Sequence, residues 1–154
     1  MLTSQPSQPM ASHNEKLIPV RMINLDSKGG TNGYNDIVQS KEYTTGYYLL
    51  PSDIAKEGDL LMPVYGDSMS PTYVSGSMVL IRPVPLWREY LEFGATYVLA
   101  LEDDRRIIKE IRKGADDDHY LLASINPQFE DSEISKNIIR SVWRVIMSVR
   151  RESL

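Results

Sequence analysis

The rhythm of the chain constrains its fold more than any other feature. Short apolar runs recur between turn residues: Leu17–Ile23, then residues 47–50, 60–65, 78–82, 95–101, 105–111, 120–123 and 141–149. Runs of four to nine residues at this spacing read as strands, and several in succession predict a mainly β domain. Residues 26–35 (DSKGGTNGYN), with three glycines and two asparagines, read as a loop. Helix is scarce, with one turn expected after Ser68 and one near residues 86–91. No internal repeat is visible.

The 154 residues suit one domain with tails, and 42% hydrophobic content is enough for a core. A net charge of −4 argues against this segment gripping DNA itself, because DNA-gripping domains carry a basic surplus. With no cysteine, disulfides, thiolate metal sites and cysteine nucleophiles are excluded. No apolar run approaches the roughly 18 residues that span a bilayer. Residues 1–16 are rich in Ser, Gln and Pro, lack the apolar stretch of a secretory signal and read as a flexible linker. We therefore expect a cytoplasmic chain without membrane contact. A linker at the start also suggests a segment upstream, leaving residues 17–154 as the folded domain.

Few side chains offer chemistry. The two histidines are His13, in the linker, and His119, after Asp116, Asp117 and Asp118. The acidic run lacks the spaced oxygen ligands of a calcium loop, so we expect a solvated turn and no metal. Lys109 is more informative. On a strand over residues 105–111, alternate side chains share a face, so Ile107, Lys109 and Ile111 point one way and Ile108 the other. Such a lysine either reaches solvent along its aliphatic stem or is a desolvated amine. Burial lowers a lysine pKa, and a neutral amine can act as a general base. The nucleophile for such a base would be a hydroxyl. Ser68, after an apolar run and Gly66, is the best candidate. Alone, Gly66-Asp67-Ser68 reads as a capped turn, with Asp67 or Ser68 bonding a backbone N–H, before it reads as a nucleophile.

At these residues the chain resembles the LexA-like (S24) peptidase family of LexA-type repressors, phage repressors and UmuD-type mutagenesis factors. The matching segments are Val64-Tyr65-Gly66-Asp67-Ser68-Met69-Ser70-Pro71-Thr72 followed by Gly76-Ser77-Met78-Val79-Leu80-Ile81, then Arg106-Ile107-Ile108-Lys109-Glu110-Ile111. Leu122-Ala123-Ser124-Ile125-Asn126-Pro127 and Val142-Trp143-Arg144-Val145 complete them. The resemblance implies a compact LexA/signal-peptidase-like β domain of short, strongly bent strands. It implies Ser68 as nucleophile and Lys109 as base. The backbone N–H of Ser68, with that of Asp67, would form the oxyanion hole. Gly66, Met69 and Pro71 would shape the turn. No cofactor is implied.

In this family the substrate is the protein's own chain, cut in a loop upstream of the serine. Here that loop is residues 26–35. The bond between Gly29 and Gly30 is the candidate, with Lys28–Gly29 as alternative. The family's usual alanine is missing there, and Ser77 stands where aspartate is common. The implied partners are a second copy of the chain, an upstream DNA-binding domain with its operator DNA, and a recombinase-type coactivator of the SOS type. Two other readings remain: a non-cleaving dimerisation or effector domain, and a UmuD-like mutagenesis factor. The run at 141–149 is expected to supply a paired edge for dimerisation or to lie buried at the centre of a sheet.

Overall fold

The structure, a computed structural model, describes residues 16–24 and 44–150. Nine strands follow one another: β1 (Leu17–Ile23), β2 (Thr44–Pro51), β3 (Leu60–Pro63), β4 (Met78–Pro83), β5 (Thr96–Leu101), β6 (Arg106–Lys113), β7 (His119–Ala123), β8 (Ser132–Ser135) and β9 (Ile139–Val149). Among the described residues the helical content is one 3-10 turn, Lys136–Ile138. The mainly β class expected from the rhythm of apolar runs is the class observed. The two expected helical turns are single loops of chain, closed by Tyr73 N–H to Met69 O and Tyr90 N–H to Leu86 O, both 2.9 Å.

The strands form one sheet in the order β2-β1-β3-β4-β9-β5-β6-β7-β8. Every pairing is antiparallel except β1 with β3, where Arg21 lies opposite Leu60 and Met22 opposite Leu61. Alternation along the strands distributes the core over both faces. Leu60, Met62, Val79, Ile81, Val98 and Trp143 build one cluster. Their neighbours Leu61 and Leu80 pack with Val20 on the opposite side. In the second half of the sheet, Tyr97, Leu99, Ile111 and Leu122 form a third cluster. The parity of β6 follows the sequence reading, because Ile108 packs against the first cluster and Ile107 and Ile111 belong with the third.

Two elements differ from expectation. β8 was not anticipated, since its sequence SEIS buries one residue, Ile134, and a single apolar side chain carries no period. Its strand character comes from pairing with β7, His119 opposite Ser135 through Leu122 opposite Ser132. The expectation that residues 141–149 supply a paired edge gives way to the central alternative. β9 bonds β5 along its first half and β4 along its second, and the edges of the described sheet are β2 and β8. An ion pair between buried Asp59 and half-buried Arg82 holds the entry to β3: Arg82 donates to both Asp59 carboxylate oxygens, at 2.8 and 2.7 Å. That contact holds the guanidinium pKa above its ordinary value.

Candidate active site

β3 delivers the chain to Val64, and a turn follows at Gly66. The Gly66 φ is +80°, where a side chain would be strained although space is open around it. Ser68 is half-buried, and Met69, 2% exposed, anchors the turn in the core. The peptide between Ser70 and Pro71 is cis. Ser77, the departure noted in the sequence, is buried and donates its hydroxyl to Val74 O at 2.6 Å.

The loop after β7 reaches over this turn. Asn126 N–H donates to Ser68 O at 2.9 Å, and Asn126 Nδ2 donates to Asp67 O at 3.0 Å. Ser70 N–H adds a third bond, to Asp67 O at 3.1 Å. The C=O and N–H of one trans peptide unit point in opposite directions. Gripping the Asp67 carbonyl therefore directs the Ser68 N–H away from Asn126. Neither that N–H nor the Asp67 N–H donates to another described residue.

Lys109 arrives from the other half of the sheet, paired with Tyr97 of β5. β7 bonds β6 only from Glu110 to Lys113. Beside Ile107, Ile108 and Lys109 the outer edge of β6 thus has no strand partner among the described residues. A cavity of about 300 Å³ opens there, with Met62, Val64, Gly66 and Ser68 on one wall and Ile107 and Lys109 on the other. The fold brings together two residues 41 positions apart in sequence. Within this cavity no hydrogen bond joins Ser68 to Lys109 among the described residues. Lys109 Nζ instead donates to Ser124 Oγ at 2.7 Å, with the Phe129 ring centre 5.8 Å away. Burial holds the Lys109 pKa below the ordinary lysine value.

The other candidates separate from this site. His119 Nδ1 lies 2.7 Å from Asp116 Oδ1 at the opposite end of β7, and neither lines the cavity, so no Ser-His-Asp arrangement forms there. Asp116, Asp117 and Asp118 are exposed, and among the described residues no group of acidic or imidazole side chains is arranged to hold a metal. Lys28, Gly29 and Gly30, the rest of residues 26–35 and His13 lie outside the described residues. The sequence reading gave Ser124 and Asn126 no role. Both lie in the segment from Leu122 to Pro127 that carries part of the resemblance, but a loop's own sequence does not reveal which distant site it closes over.

A family model described as Peptidase S24-like matches residues 28–146. Among curated proteins, none matches the chain.

Proposed function

Because the chain belongs to the Peptidase S24-like family, we propose that it is a Ser/Lys peptidase that cuts its own chain, serving as the regulatory domain of a transcriptional repressor. The observation that carries this reading is the shared cavity of Ser68 and Lys109, with the amine partly desolvated.

The chemistry follows from these groups. Neutral Lys109 takes the Ser68 hydroxyl proton as Oγ attacks the carbonyl carbon of Gly29. The carbonyl oxygen becomes an oxyanion, met by the N–H groups of Ser68 and Asp67. Collapse breaks the bond to Gly30, whose amine leaves with the proton held by Lys109. Water then attacks the Ser68 ester, giving its proton to Lys109. A Gly29 carboxylate is released and Ser68 is restored.

Two features support a substrate from the same chain. The β6 edge facing the cavity suits an extended segment added as a strand. β1 also runs parallel to β3 toward Ser68. Its register pairs residues 39 positions apart (21 with 60, 22 with 61), and 39 positions also separate Gly29 from Ser68. Fully extended, the five steps from Asn24 to Gly29 can span at most roughly 17 Å. Placing the scissile loop in the chain replaces a bimolecular encounter with an intramolecular one.

Cleavage would separate this acidic domain, proposed to be dimeric, from an upstream DNA-binding unit that holds its operator weakly alone. Hence the prediction for intact mass at alkaline pH, with and without a recombinase-type coactivator. Wild type should give fragments split between Gly29 and Gly30, while Ser68→Ala and Lys109→Ala stay whole. Wild type that remains whole in every condition would refute the reading.

A further inference from the structure

Lys109 lies between two cavities. One, about 300 Å³, holds Ser68, and the other, about 340 Å³, lies between Ile107 and Leu122 on β6 and β7 and Ile134 on β8. A lysine amine on four methylenes can swing between such spaces unless its end is anchored. The anchor is the first residue of the loop after β7: Ser124 Oγ accepts from Lys109 Nζ at 2.7 Å. Two positions further on, Asn126 grips the peptide units of Asp67 and Ser68. One short segment therefore touches both halves of the site.

We infer that Ser124 is a positioning residue for Lys109, accepting one N–H of the neutral amine so that its lone pair is held for the Ser68 hydroxyl. The inference rests on the Ser/Lys reading above and assigns that site a third side chain. A neutral amine has two N–H donors and one lone pair. Fixing one N–H on Ser124 limits where the lone pair points, and the β6 backbone fixes the other end of the side chain. Ser124 does not itself line the Ser68 cavity.

The sign of the effect separates positioning from loosening. An acceptor on Lys109 favours the charged form, so removing it lowers the amine pKa further. A loop that merely came apart would admit water and raise the pKa toward the ordinary lysine value. The other titratable or charged groups near Lys109 are Tyr97, its cross-strand partner on β5, Arg106 and Tyr65 around the first cavity, and Arg105 and Glu133 around the second. All five remain in the variants below.

The test is a titration of the full chain by the ¹³Cε resonance of Lys109, in a Ser68→Ala background so that the chain stays whole. Ser124→Ala should lower the midpoint by about one pH unit, and Ser124→Thr, which keeps the hydroxyl, should restore it. With Ser68 present, Ser124→Ala should cut the plateau cleavage rate about tenfold to a hundredfold and shift the rise to lower pH. An unchanged or raised midpoint would overturn the inference. So would a loss in Ser124→Ala as complete as in Ser68→Ala, which would move the nucleophile to Ser124. If wild type is never cut, the peptidase reading fails by itself, and the titration still decides the bond between Lys109 and Ser124.

Discussion

Lys109 is where protonation and function meet, because β6 holds its amine partly out of water. Burial lowers its pKa, so the folded chain gives up this proton at a lower pH than the unfolded chain does. Between the folded pKa and the ordinary lysine value the unfolded state binds more protons, and stability rises with pH across that window. Replacing Lys109 by Met, which keeps the aliphatic stem, should therefore stabilise the domain near neutral pH. Its advantage over wild type should shrink as pH climbs through the window. Denaturant melts at several pH values measure this, and a constant difference would mean the amine is fully solvated. Lys109 was legible because Ile107 and Ile111 flank it on one strand face. Ser124 was not, since one hydroxyl in a loop carries no period and its partner is 15 positions away.

The elements that build the site come from both halves of the sheet. The turn after β3 supplies Ser68, β6 supplies Lys109, and the loop after β7 joins the two. Asn126 does two jobs in that loop. Its Nδ2 holds the Asp67 carbonyl, and its Oδ1 accepts from Gln128 N–H at 3.0 Å. Asn126→Asp keeps the second bond and loses the first. We predict a fall in cleavage of about a hundredfold, the scale for a lost oxyanion donor, with a melting temperature close to wild type. Retained cleavage would mean that the Ser68 N–H needs no such fixing. At this scale the sequence was informative where apolar residues alternate or run together. All eight anticipated runs are strands, with ends shifted by a few residues. β8 escaped because neighbouring backbone, not its own side chains, makes it a strand. The place of β9 could not be read either, since an apolar strand suits an edge meant for a partner as well as a sheet centre.

At the scale of the molecule, an unbroken β sheet curls so that distant segments face one cavity, and β1 points the upstream chain along β3 toward Ser68. The motif around Ser68 and the strand around Lys109 were both readable. That they share a cavity was implied by resemblance alone, because spacing along the chain does not fix distance across a sheet. The central claim is that Lys109 activates Ser68 against this chain's own backbone. It is tested most directly by the first-order rate at which intact wild type disappears, followed from about pH 6 to pH 10 at two protein concentrations. The account predicts a rate independent of concentration that rises with pH and levels off below the ordinary lysine range, with no cleavage in Ser68→Ala. A rate that climbs without levelling and is the same in Ser68→Ala would be hydroxide chemistry, and it would contradict the account.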